Sequence, residues 1–409
     1  MDISSLQSSA KPNNTQNNVN QGNDPTAGLD KKLGEMQNIL SSYSSHVQNN
    51  SSQLGPKPQT DIKKFLDEGI RLGASDIHIT VGYKVMMRIN GVLKTFNSGV
   101  TTSDEAREYT QELIKNREDI KIDDLKEFDL TYTYNKRRFR VNIFRQMGSF
   151  SIVFRIIPNQ IFTLEQLGLP TVIKDFSKFS NGLVLMTGPA GSGKSTTIAS
   201  LLNLINITQS KHIITLEDPI EYVFPQGIGL VDQREFGLDF LSWPDALRSI
   251  LRQDPDIVFV GEMRDLETVE SALQIAETGH LVFATLHTNS AATTIDRIID
   301  IFPSGKQDQI KIQFASVIRA IVSQKLVKTI DSRRRVAAEI LVATPAVKNA
   351  IRENKGYNIE NVIQTSMDMG MISLERSLVN LVKEGAITAD TAKLNSIRPA
   401  EIDILLNQG

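Results

Sequence analysis

The sequence predicts an α/β protein: a core of buried parallel strands with helices on both faces, led by a small α+β domain and followed by a helical C-terminal portion. Three observations carry this. The second half holds short continuous apolar runs, "GLVLMTG", "HIITLED", "DIVFVGE" and "HLVFATLHT", separated by helical stretches, which is how parallel strands buried on both faces read. Earlier segments, "SDIHITV", "KVMMRINGVLK", "FDLTYTY", "KRRFRVNIFRQ" and "SFSIVFRIIP", alternate between apolar and polar residues with short turns such as "NK" and "MG", as antiparallel strands do. Between the run "GLVLMT" and the helical "STTIASLLNLIN" lies "GPAGSGKS", a phosphate-loop pattern in its required strand-to-helix context.

Taken in order, residues 1 to about 57 are rich in Asn, Gln and Ser, too poor in apolar side chains to offset the entropy of ordering, and are expected to be a disordered tail. Within it Leu33, Met36, Leu40 and Tyr43 keep helical spacing, read as a transient helix. At residues 58–158 the texture becomes that of a small α+β domain, where "DIKKFLDEGIRLG" sets Ile62, Phe65, Leu66 and Ile70 on one helical face with Gly73 as the stop. Residues 159–332 carry the parallel-strand runs. After Ser332 the segments "AVKNAIREN", "NIENVIQTSM" and "SLERSLVNLVKEG" predict a helical portion over 333–409.

At 409 residues the chain is long enough for two or three domains, each able to bury its own core. Lys and Arg total 45 against 47 Asp and Glu, so no global field attracts nucleic acid or anionic lipid, and any polyanion site must be local. The absence of cysteine excludes disulfides, thiolate metal sites and cysteine nucleophiles. The start, "MDISSLQSSAKPNN", lacks the basic and apolar regions of a secretory signal, and no run approaches the roughly 20 apolar residues that span a bilayer. A cytosolic protein, peripheral to a membrane through a partner, is the expectation.

The chemistry begins at the phosphate loop. Gly188, Pro189, Ala190, Gly191, Ser192 and Gly193 let backbone N–H groups point inward around phosphate oxygens, and the following helix N-terminus adds positive potential. Lys194 balances phosphate charge, the Ser195 hydroxyl is a Mg²⁺ ligand, and Thr196 completes the loop. Phosphoryl transfer also needs a metal-holding acid and a group that positions the attacking water. "DPDIVFVGE" supplies Glu262 at the C-terminal end of a strand, the edge where such sheets gather ligands; contact with Mg²⁺ directly or through water stays open. Asp256 opens the same run as a turn residue. "TLEDPIEY" supplies Glu217, Asp218 and Glu221, a cluster that suggests metal and water handling.

In this order the motifs resemble the secretion ATPase superfamily that powers type II secretion and type IV pili, and within it pilus retraction motors. The matching pieces are "GPAGSGKSTT" (Walker A), "TLEDPIEY" (Asp box), "LRQDPDIVFVGEMRDLET" (Walker B) and "AETGHLVFATLHTNSA" (His box), with fainter likeness in "ASDIHIT", "RFRVNIFRQ", "VFRIIP" and "AVKNAIRE". The resemblance covers roughly residues 60 to 395. It implies a PAS-like N-terminal domain, a RecA-like ATPase domain, Mg²⁺-dependent ATP hydrolysis and a homohexameric ring that works on an inner-membrane pilus platform protein. It places the catalytic glutamate on Glu221 and the Walker B acid on Glu262, and it matches Arg140 and Arg155 to arginines that complete a site from across a boundary. Arg137 and Arg138 are instead read as exposed strand arginines with no partner.

The His box raises a question of geometry. As one extended strand, seven steps of about 3.3 Å would hold His280 and His287 roughly 23 Å apart and on opposite faces, so one subunit cannot clamp one metal with both. His287 lies at the end shared with the phosphate loop, and the resemblance makes it a γ-phosphate sensor. His280, at the other end, suits a structural or interface hydrogen bond, with a weaker role in coupling chemistry to the ring.

Assembly and secretion members usually carry a four-cysteine zinc loop, which a chain without cysteine cannot form. Retraction is therefore favoured over extension. "AVKNAIRE" stands where retraction motors carry the similar "AIRNLIRE", departing from it at Val347, Lys348 and Ala350. Alternatives are an accessory retraction motor, a secretion or pilus assembly ATPase, a nucleotide-gated scaffold with little turnover, and a RecA-like DNA translocase. The balanced charge and the lack of a basic, aromatic-interleaved strand or loop argue against nucleic acid.

Overall fold

Amphipathic spacing sets the first helix. The computed structural model describes residues 61–407 apart from positions 116, 118, 119, 136, 158 and 159. The tail expected over residues 1–57, with Leu33, Met36, Leu40 and Tyr43, therefore lies outside the described residues. Helix α1 (Ile62–Arg71) buries Ile62, Phe65 and Leu66. Just beyond it Gly73 takes φ +64°, a left-handed conformation that glycine adopts without Cβ strain and that ends helices.

Then β1 (Asp76–Thr80), β2 (Lys84–Ile89), β3 (Val92–Val100), α2 (Ser103–Ile114), β4 (Glu127–Tyr134), β5 (Arg137–Gln146) and β6 (Ser149–Ile156) follow. The six strands form an antiparallel sheet in the order β3-β2-β1-β6-β5-β4. Met147 and Gly148, the "MG" turn, both take positive φ, as a two-residue hairpin needs to match the twist of its strands. Ile77, Ile79, Val141, Ile143, Ile152 and Phe154 are buried in one core with residues of α1 and α2, each contributing about 1.5–3 kcal/mol on full burial.

A second sheet follows the short α3 (Val172–Asp175). Its elements are β7 (Gly182–Thr187), α4 (Lys194–Thr208), β8 (His212–Glu217), β9 (Leu230–Glu235), α5 (Trp243–Ile250), β10 (Ile257–Val260), α6 (Leu266–Glu277), β11 (Leu281–Leu286), α7 (Ala291–Asp300), α8 (Ser304–Val317), β12 (Ile318–Lys328) and β13 (Arg334–Val342). The order is β13-β12-β7-β11-β10-β8-β9, parallel from β12 to β9, with β13 antiparallel at the edge. Leu183 and Leu185 join the core on one face, whereas Val184 and Met186 join Ile198, Leu201 and Ile205 of α4 on the other. Both faces are covered, which is why β7 reads as one continuous apolar run.

Two expectations change, and one strand goes unread in the sequence. The portion read as helical from residue 333 is helical only from Pro345, because Arg334–Val342 is a strand paired with β12 along its whole length. Its "VAAEIL" has residues that favour helix in isolation, and the hairpin pairing overrides that weak preference. Strand β9, "LVDQRE", carries no apolar run, since it is the sheet edge with Leu230 and Asp232 exposed. Finally, the strand read over "HLVFATLH" is only Leu281–Leu286, leaving His280 and His287 just outside its two ends, so the separation reckoned over one continuous strand does not apply.

The chain ends in α9 (Pro345–Arg352), α10 (Ile359–Thr365), α11 (Leu374–Lys383), α12 (Ala389–Asn395) and α13 (Pro399–Asn407). Helix α9 is the "AVKNAIRE" segment, which turns Val347, Ala350 and Ile351 inward. Among the described residues no helix is long and apolar enough to cross a membrane.

Candidate active site

Parallel strands point their C-terminal ends one way, so the segments that follow β7, β8, β10 and β11 meet at one edge of the sheet. The cavity there is lined by Ala190, Gly191, Lys194, Ser195, Glu217, Asp218, Glu221, Tyr222, Glu262, Arg264, Thr285 and His287, among others. Seven of the side chains singled out in the sequence, Lys194, Ser195, Glu217, Asp218, Glu221, Glu262 and His287, thus share one space.

Sterics shape the loop that enters it. Gly188 takes φ +138°, and a Cβ there would stand 2.3 Å from the Gln324 carbonyl oxygen, so a larger residue would push β12 away from β7. Gly193, at φ +93°, is the N-cap of α4. The Lys194 ammonium donates to the carbonyls of Gly188 at 2.7 Å and Pro189 at 3.1 Å. Burial lowers its pKa, and the charges of Glu262 and Glu221 oppose that shift. Ser192 is buried, and its hydroxyl oxygen has no hydrogen-bond partner. Thr196 meets the Tyr222 hydroxyl at 2.9 Å, joining α4 to the loop after β8.

The acids separate by environment. Glu217 is 8% exposed, and its carboxylate accepts from the Thr215 hydroxyl at 2.7 Å and the Gln233 amide at 3.2 Å. Burial raises its pKa to about 7, with the bonds from Thr215, Gln233 and the Glu221 backbone pulling the other way. Glu221 is exposed at the cavity, free of the burial that ties up Glu217. Glu262 receives His287 Nε2 at 2.8 Å on one oxygen and Arg264 at 2.7 Å on the other. Burial alone would raise its pKa, but the Arg264 bond and charge, with His287 and Lys194, hold it below the ordinary carboxylate range. Thr285, one strand over, donates its hydroxyl to the Gly261 carbonyl beside Glu262.

The remaining candidates lie elsewhere. Arg140 and Arg155 are register partners on β5 and β6, both exposed, and neither lines the cavity that holds Lys194. Arg155 donates to Asp76 at 2.9 Å, while Arg140 lines a second groove that shares Asp218 and Pro219 with the first. His280 sits at the far end of β11, its Nδ1 within 3.0 Å of the Thr278 hydroxyl and 3.2 Å of the Ile275 carbonyl, a structural placement. Asp256 likewise stays at the opposite edge, paired with Lys211 at 2.6 Å.

Arg138, read as an exposed and unpartnered strand arginine, is instead half-buried and ion-paired with the buried Glu235. That partner lies 97 residues away, so local spacing gives no sign of the pair. Arg264 was also missed as a site residue, although it stands inside the Walker B stretch "VGEMRDLET". An arginine two residues after an acid that must meet a phosphate was the available signal. Gln233, which holds both Glu217 and the Tyr222 carbonyl, lies on a polar edge strand and offered none.

The family model for type II/IV secretion system protein matches residues 52–371. Over 334 residues the chain is 42% identical to the type IV pilus retractation ATPase PilT of Pseudomonas aeruginosa, covering 81% of this chain and 97% of that protein. It is 43% identical over 310 residues to a twitching motility protein of Neisseria gonorrhoeae, covering 75% of this chain and 83% of the relative. Among solved structures, that of the pilus retraction motor PilT and bound ADP superposes with a TM-score of 0.77 at 42% identity, covering 84% of this chain and 99% of that one.

Proposed function

The chain belongs to the type II/IV secretion system protein family, and from that premise we propose that it is the ATP-hydrolysing motor of type IV pilus retraction and twitching motility. The observation that carries this reading is the convergence of Lys194, Glu221, Glu262 and His287 on one cavity in a chain 42% identical to a pilus retraction ATPase. We read the first sheet as PAS-like, the second as RecA-like, and the working form as a homohexamer on an inner-membrane pilus platform, at the cytoplasmic face.

In this reading the loop N–H groups and Lys194 hold the β- and γ-phosphates. Ser195 and Glu262 would hold Mg²⁺; both offer hard oxygens at the cavity, the donors this ion takes. When bound, the ion neutralises charge on the phosphate oxygens. Glu221, exposed at the cavity, activates water, while Glu217 keeps its carboxyl in hydrogen bonds to Thr215 and Gln233 and acts as a support. His287, in contact with Glu262 at 2.8 Å, would report the γ-phosphate to the acid that would hold Mg²⁺. Arg140 and Arg155, exposed on strands away from the cavity of their own chain, serve the site of a neighbouring copy, which makes turnover depend on ring geometry.

Deleting the gene and counting surface filaments tests the direction of work. Excess pili that do not retract are expected; loss of pili would overturn retraction in favour of assembly. Separately, Arg140→Ala should keep nucleotide binding and lose steady-state phosphate release, and unchanged release would remove its role.

A further inference from the structure

The nucleotide cavity does not stand alone. Glu221 lies on the stretch from Asp218 to Gly229, which links β8 to β9 without helix or strand. Such a stretch takes its shape from whatever side chains grip its backbone. Two of those side chains, Gln233 and Glu235, come from β9, two residues apart and so on one face of the strand.

Gln233 accepts from the Phe224 N–H at 3.0 Å and donates to the Tyr222 carbonyl at 2.7 Å. Glu235 accepts from the Ile220 N–H at 3.2 Å, one residue before Glu221. The difference lies in what else each touches. Gln233 is otherwise bonded to Glu217. Glu235, only 3% exposed, also accepts from Thr131 on β4 and pairs with Arg138 on β5. A buried carboxylate that binds one element through charge and another through a backbone N–H transmits a shift of either to the other, because neither bond can be surrendered to water.

We propose that Glu235, held by Arg138 and Thr131, is the positioning residue through which the N-terminal sheet sets the placement of Glu221 and hence the rate of ATP hydrolysis. The proposal rests on the reading of the chain as an ATPase with Glu221 as its water-activating acid. It assigns the N-terminal sheet a role within its own chain, distinct from any arginine it lends to a neighbour. Movement of the sheet acts on the Ile220–Glu221 backbone while the phosphate loop, whose shape comes from Gly188 and Gly193, keeps its hold on nucleotide.

The test uses the full-length assembled protein, with Glu235→Gln, Arg138→Met and the double variant. Glu235→Gln keeps an acceptor for the Ile220 N–H and breaks the charge link. The double variant removes both charges, so a fold lost by stranding one buried charge is recovered there. We expect kcat to fall at least about fivefold in each, with KM for ATP, affinity for a fluorescent ADP analogue and binding stoichiometry within about twofold of wild type. The double variant should lose no more than the worse single, since both changes cut one link. Unchanged kcat beside an active wild type would overturn the proposal and leave the ATPase reading intact. So would a kcat loss matched by lost nucleotide affinity or stoichiometry, or single losses that multiply in the double. A wild-type chain that hydrolyses no ATP would overturn the ATPase reading itself, and this inference with it.

Discussion

The loops that follow β7 and β8 serve the same cavity and are built on opposite principles. The loop after β7 owes its shape to its own backbone: Gly188 has no room for a Cβ, Gly193 caps α4 in the left-handed region, and Lys194 folds onto the loop's carbonyls. The loop after β8 has no such internal logic. Its course is fixed by Gln233 and Glu235 from β9, by Tyr222 against Thr196, and by Asn206 donating to the Pro225 carbonyl at 2.8 Å. The shape of the phosphate loop is therefore locally determined, whereas the placement of Glu221, the proposed catalytic acid, depends on distant elements. Such a split would let the site hold nucleotide while hydrolysis waits on the placement of distant elements.

The largest effect should come from the locally shaped loop after β7. Lys194→Ala removes the ammonium proposed to meet the phosphates, and steady-state phosphate release should fall more than about 100-fold. A variant that hydrolyses at the wild-type rate would break the comparison at its root. The next effect separates the two acids at the end of β8 and in the loop after it. Glu221→Gln should cost at least about 100-fold in kcat with ATP binding retained, in the range of a lost general base. Glu217→Gln keeps an acceptor for Thr215 and Gln233 and should stay within about tenfold of wild type. If the two losses prove equal, Glu217 does more than support, and the division between them fails.

That contrast also explains what could be read from the residues alone. The strands β7, β8, β10 and β11 announced themselves because burial on both faces leaves a continuous apolar run, and the phosphate loop because its glycines are required by its own backbone. Glu217, Glu221, Glu262 and His287 were legible as a group, since each closes or follows a strand whose C-terminal end faces the same edge. Their division of labour was not. Glu217 and Glu221 look alike in "TLEDPIEY", and only Thr215 and Gln233 closing over one of them tells them apart. Strands β9 and β13 were missed because an edge strand needs no apolar run and because helix-favouring residues yield to hairpin pairing. The Arg138–Glu235 pair exists only once the fold brings its partners together across 97 residues, whereas Arg264, two residues from Glu262, could have been read from the sequence.

The smallest expected effect probes a buried acid behind another element of the cavity, the turn after β11. Glu339, on β13 and 4% exposed, accepts from the Ala291 N–H at 2.7 Å, at the start of α7 and four residues beyond His287. Burial raises its pKa from 4.5 to about 7; the Ala291 bond lowers it, Glu375 raises it, Arg398 lowers it and Glu360 raises it. The folded chain thus holds this proton more tightly than the unfolded chain. Its favourable contribution is full below the unfolded value near 4.5 and is lost as pH rises to about 7. At pH 8 the ionised, buried carboxylate costs on the order of 3 kcal/mol. Glu339→Gln keeps an acceptor for Ala291 and never ionises. Its melting temperature should match wild type near pH 5 and exceed it by a few degrees at pH 8. Glu217, whose pKa is raised to the same region, titrates in both proteins, so the difference between the two curves reports Glu339 alone. Parallel curves would mean that the N-terminus of α7 stabilises the ionised form as well as water does, and the turn that carries His287 would then rest on a charge.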